Sequence, residues 1–165
     1  MKKIFSLLII AFSFASCSQA QQREFKPEAL SNTMKTVENT DITFQEILKK
    51  YEGKTIVIDV WASWCSDCIK GMPKMKALQE KYPEATYLFI SMDRNYEDWI
   101  NGIEKHQLKG QHYLTTDGMK GVFGKSIKLD WIPRYMVVDK TGKISLFKVI
   151  EADDDKLIET LEKLK

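Results

Sequence analysis

Histidine and cysteine are scarce in this chain: it has two histidines, His106 and His112, and three cysteines, Cys17, Cys65 and Cys68. A structural zinc site needs four ligands, and neither a second CxxC nor clustered histidines supply the rest, so no metal site is expected. An excess of charge is also missing. The 25 basic residues fall to 23 once Lys2 and Lys3 are set aside, equal to the 23 acidic ones. That balance gives no surface suited to nucleic acid or to anionic lipid. There is no internal repeat and no low-complexity block. The one long apolar run, Ile4 to Phe14, is too short to span a bilayer stably.

That run has the form of a targeting signal. Lys2 and Lys3 make a positive start, the apolar stretch follows, and the small residues Ala15 and Ser16 precede Cys17. Phe14-Ala15-Ser16-Cys17 resembles a bacterial lipobox, which implies that Cys17 is lipidated as the mature N-terminus. An ordinary signal peptide would instead discard Cys17. Either way Cys65 and Cys68 remain as a pair, in a compartment where disulfides persist. The expected layout is a signal peptide over 1–16, a polar tether over 17–32 containing Pro27, and a domain over 33–165.

Within the domain, Thr40 to Tyr51 reads as a first helix capped by Asp41 or Thr43 and stopped by Gly53. Thr55 to Trp61 (TIVIDVW) and Ala85 to Met92 (ATYLFISM) read as strands buried on both faces. Helical patterns run over 66–82, with Pro73 inside, and over 96–106. A short strand is expected at His112 to Thr115 and a short helix at Met119 to Phe123. A hairpin over 134–150 turns at Lys140-Thr141-Gly142, and a last amphipathic helix covers 153–164. Strands alternating with helices, then a hairpin and a helix, make an α/β layer fold with a central mixed sheet.

Trp61-Ala62-Ser63-Trp64-Cys65-Ser66-Asp67-Cys68 follows the first buried strand and opens a helix. There the helix N-terminus stabilises a thiolate on the first cysteine, and the second lies one turn in, near enough to close a disulfide. So small a loop removes little unfolded-state entropy, which argues against a merely structural staple. Redox exchange is the stronger reading.

The segment Ile58 to Cys68 resembles the thioredoxin active-site segment, with Pro73 at the helix-kinking position and Ile132-Pro133 similar to the cis-proline loop. The extra helix and loop between Met92 and Trp131, before that cis-proline loop, look more like the TlpA/ResA-type extracytoplasmic thiol-disulfide oxidoreductases. The resemblance implies a thioredoxin fold and roles for several residues. Cys65 attacks, Cys68 resolves, and Asp59 serves as the buried carboxylate beneath them. Trp64, Ile132 and Pro133 bind the client, and Ser66 and Asp67 modulate the sulfurs. It implies no cofactor. The partners are client disulfides and an upstream thiol-disulfide donor, in the cell envelope on the periplasmic side.

Two departures stand out. Asp67 replaces the usual residue before the second cysteine, and its charge opposes thiolate formation, moving the potential toward the reducing side unless water screens it. Phe89 stands where thioredoxins place a lysine near the buried aspartate. Trp131 and Arg134 flank Pro133, Arg134 being either a groove residue or a solvated charge, and both histidines are expected at the surface. A thiol peroxidase and a non-enzymatic or copper-carrying module are the alternative functions.

Overall fold

The computed structural model describes residues 22–165. Along the chain come α1 (Pro27–Leu30), β1 (Thr33–Lys35), β2 (Asp41–Thr43), α2 (Phe44–Lys50), β3 (Ile56–Trp61) and α3 (Ser66–Lys81). Then follow β4 (Thr86–Ser91), α4 (Tyr96–His106), β5 (Gln111–Thr115), α5 (Val122–Ser126), β6 (Arg134–Val138), β7 (Ile144–Val149) and α6 (Asp155–Lys163). The strands form one sheet in the order β2-β1-β5-β4-β3-β6-β7. Its centre is parallel, β3 with β4 and β4 with β5, and antiparallel pairs flank it.

Every residue of β3 is buried, which is why its sequence runs apolar without alternation. Ile58, Trp61, Phe89, Met136 and Val137 are among the side chains that fill the centre. Each such apolar side chain contributes about 1.5–3 kcal/mol when fully buried. The C-terminal end of β3 leads directly into α3, so the core fixes the position of the cysteines.

The N-terminal part differs from the expectation in two ways. The first helix begins at Phe44, because residues 41–43 pair with β1 as a strand. Thr43 then caps it: its hydroxyl accepts from the Glu46 backbone N–H, and the Glu46 carboxylate accepts from the Thr43 N–H at 2.8 Å. Residues 22–32, assigned above to the tether, pack on the domain instead. Pro27 opens α1 at a position where its missing N–H costs nothing. Ala29 is fully buried, and the Phe25 ring meets Phe44 edge-on at 4.8 Å. The Ile144 N–H donates to the Arg23 carbonyl at 2.8 Å. The signal peptide, Cys17 and the first residues of the tether lie outside the described residues. The short helix expected at 119–123 falls at 122–126.

Candidate active site

Cys65 is the N-cap of α3 and forms a disulfide with Cys68, with the two Cα atoms 5.3 Å apart. The Cys68 backbone N–H points at Cys65 Sγ from 3.1 Å. That N–H and the helix dipole favour negative charge on Cys65 once the disulfide opens. Both cysteines are buried, Cys65 slightly less than Cys68. The Ile132–Pro133 bond is cis, and the Ile132 carbonyl oxygen lies 3.6 Å from Cys65 Sγ. The loop before β6 therefore lies against Cys65 Sγ.

Asp59 sits mid-β3, 7% exposed, between Phe89 of β4 and Tyr135 of β6 in the ladder. Its Oδ1 has no hydrogen-bond partner among the described residues. Burial alone pushes its pKa up to about 8, since an ionised carboxylate there loses its hydration. With Phe89 beside it, no lysine offsets that loss.

Trp64 and Trp131 stand 58% and 57% exposed on either side of Cys65. With Met119 and Ile132 they line a cleft of about 280 Å³ beside Cys65. A second cleft of about 240 Å³ lies beyond Trp131, between Gly71 and Lys74 of α3 and Pro133, Ile150 and Glu151. A larger one, about 370 Å³, opens at the other end of β3 among Leu48, Tyr51 and Gly142 and contains no thiol. We place the chemistry where the sulfurs are. Asp67 points outward, 48% exposed and 3.5 Å from Lys70 Nζ, and Ser66 is exposed.

The thioredoxin-like family matches residues 53–144. The chain belongs to that family. It is 29% identical over 128 residues to the thiol-disulfide oxidoreductase ResA of Bacillus thuringiensis, covering 76% of this chain and 72% of that protein. The crystal structure of the thioredoxin domain of a Bacteroides vulgatus thiol-disulfide oxidoreductase is 27% identical, with a TM-score of 0.65 over 81% of this chain and 92% of that one. A Bacteroides fragilis thiol-disulfide oxidoreductase, 20% identical, shares the fold at a TM-score of 0.68 over 81% and 96% of the chains. This thioredoxin-like chain is thus homologous to bacterial thiol-disulfide oxidoreductases and carries the CxxC pair.

Two features of this thioredoxin-like site escaped the sequence reading. Asp93, buried just past β4, accepts from the Ser63 N–H at 3.0 Å, the Ser63 hydroxyl at 2.7 Å and the Ser91 hydroxyl at 2.6 Å. Gly102 of α4 presses on the same spot, where a Cβ would come within 2.6 Å of the Ser63 Cβ. Together they pin the turn that delivers Trp64 and Cys65. A signal existed: Ser91 and Asp93, two apart at a strand end, project to one side.

Arg134 is neither a groove residue nor a solvated charge but fully buried. Its guanidinium donates to the Ile127 carbonyl at 3.3 Å and pairs with Asp130, which also holds Lys148 at 2.5 Å. The Lys148 hydrogen bond, aided by the Arg134 charge, keeps the Asp130 carboxyl below its ordinary range. Arg134 thereby braces the loop that carries Trp131 and Ile132. His112 is not a free surface residue either, since its ring stacks on Phe89 at 5.0 Å. Its partial burial holds its pKa below the usual histidine value.

Proposed function

We propose that this chain is a membrane-tethered dithiol reductase of exported proteins. The observation that carries the reading is the placement of Cys65: a helix N-cap facing a backbone N–H, with the cis Ile132–Pro133 loop against its sulfur. In the proposed cycle the Cys65 thiolate attacks a client disulfide. A Cys65–client S–S bond forms, and the client's other sulfur leaves as thiolate. Cys68 then gives its proton to the Asp59 carboxylate and attacks Cys65 Sγ. The Cys65–Cys68 disulfide forms, and the client's second sulfur leaves and takes a proton from water. Two electrons pass to the client, and an upstream thiol-disulfide donor restores the dithiol.

Client binding is assigned to Trp64, Ile132 and Pro133. Ile132 offers backbone groups to an extended segment, and Trp64 offers an apolar face. Ser66 and Asp67 tune the sulfurs from the solvent side. The signal peptide over 1–16 and lipidation of Cys17 place the domain outside the cytoplasm. The basic start, the apolar run and the lipobox-like Phe14-Ala15-Ser16-Cys17 support this.

The test is reduction of insulin disulfides by the pre-reduced protein. Cys65→Ala is expected to abolish it, and Cys68→Ala to accumulate mixed disulfides with clients. Full activity in Cys65→Ala would sink the reading. For the anchor, labelled palmitate should enter the wild-type chain but not Cys17→Ala, and an unlabelled wild-type chain would refute lipidation.

A further inference from the structure

If Asp59 takes the Cys68 proton, that proton must later reach solvent, and the surroundings of Asp59 are asymmetric. On the β4 side stands Phe89, buried and backed by His112, which offers no polar route. On the β6 side stands Tyr135, directly opposite Asp59 in the antiparallel ladder, so both side chains project to one face. The Tyr135 hydroxyl reaches α3, ending 3.5 Å from the point that a Cβ on Gly71 would occupy. Gly71 is itself a wall of the second cleft, with Lys74, Pro133 and Glu151. Asp59, that hydroxyl and the cleft therefore lie in sequence, from inside to outside.

The charges around this line fit such a passage. From α3 come Cys68 and Lys74. From the turn between β7 and α6 come Glu151 and Asp153, which hold Lys74 at 2.7 and 3.0 Å. Burial, and then the negative charges of Asp59, Glu151 and Asp153, push the Tyr135 phenol well above its usual pKa. It stays a neutral hydroxyl, able to donate and accept at once.

We infer that Tyr135 is a positioning residue through which Asp59 exchanges its proton with water in the cleft between α3 and the β7–α6 turn, Gly71 keeping that passage open. The inference rests on Asp59 acting as the base. In the step, protonated Asp59 passes its proton over one bridging water to the Tyr135 oxygen, while the Tyr135 proton leaves to cleft water. Asp59 returns to carboxylate, Tyr135 is unchanged, and solvent gains one proton.

Two substitutions separate this role from a structural one. Tyr135→Phe removes only the oxygen. Gly71→Ala sets a methyl group in ordinary contact with the hydroxyl, without a clash, at a helix position that favours alanine. The readout is the pH profile of the second step, client release from the Cys65 mixed disulfide in a single turnover, alongside direct titration of Asp59 by carboxyl NMR. Wild-type release should rise through the Asp59 midpoint. In Tyr135→Phe the release midpoint should move up by about one unit, a roughly tenfold slower release at a fixed pH below it, because the Asp59 proton loses its route to the cleft. Gly71→Ala should move it the same way by less, and the first attack by Cys65 should be unchanged in both.

Wild-type midpoints and release rates in both variants, with pH dependence lost in Asp59→Asn, would overturn the relay and leave the base role standing. A profile unaltered by Asp59→Asn would overturn both. If Tyr135→Phe folds poorly, Gly71→Ala alone decides by the same criteria.

Discussion

Asp59 and Phe89 are direct neighbours in the parallel ladder of β3 and β4, and the far face of Phe89 is covered by the His112 ring. A carboxyl group is thus set against an aromatic wall, with no cation at that register. The consequence reaches stability as well as chemistry. An unfolded aspartate titrates near 3.9, whereas Asp59 in the fold titrates at about 8. Between those values the native protein binds more protons than the unfolded chain. Stability therefore falls as pH rises through the window from about 4 to 8, and levels off above it. Asp59→Asn should remove that slope and raise unfolding free energy at pH 9 by up to about 5 kcal/mol. Urea unfolding across pH 4 to 9 tests this, and parallel curves for both proteins would refute it.

The Ser63–Asp93 clamp should behave as a support of the site. Asp93→Ala leaves three donors without their acceptor and should cost roughly 3 kcal/mol, with Ser63→Ala costing about 1 kcal/mol. Client reduction should drop more steeply than the loss of folded protein explains, because the turn carrying Cys65 loosens. Denaturant curves and kcat/KM measured on the same samples check both parts.

Trp131 is exposed, on the loop that Arg134 holds through Ile127 and Asp130. Trp131→Ala should change stability by no more than about 0.5 kcal/mol. The KM for a protein disulfide should rise about tenfold, equivalent to ~1.4 kcal/mol of binding. Reduction of a small disulfide such as oxidised glutathione should stay at the wild-type rate. An equal loss on both substrates would remove Trp131 from the client groove.

Asp67 has a smaller part than its position between the sulfurs suggests. It is about half exposed and faces Lys70, so its charge is both screened and paired. Such an exposed charge is worth about 0.5 kcal/mol, or ~10 mV for a two-electron couple. Asp67→Asn should therefore shift the potential toward the oxidising side by about that amount, as read in glutathione redox buffers.

The strands and helices around the cysteines were legible because their signals are local. TIVIDVW reads as buried on both faces, the CxxC pair opens a helical pattern, and Tyr96 to His106 follows another. β1 and β2 were not, since three-residue strands have no period to read, although Thr43 was legible as a cap of the helix that follows. α1 hid in a polar segment where only Phe25, Ala29 and Leu30 turn to the core. Arg134 was misjudged from residue type alone, although an acid four positions earlier, Asp130, was the available hint. Tyr135 and Gly71 lie sixty-odd positions apart, and only the antiparallel pairing of β3 with β6 places them around Asp59.

The direct test of the central claim is the reduction potential of the Cys65–Cys68 couple, measured against glutathione or dithiothreitol buffers. A dithiol reductase with an uncompensated buried carboxylate beneath its disulfide should lie near −270 mV or below, in the range of about −270 mV set by thioredoxin. A value close to about −120 mV, that of a strong disulfide-forming oxidant, would contradict the account.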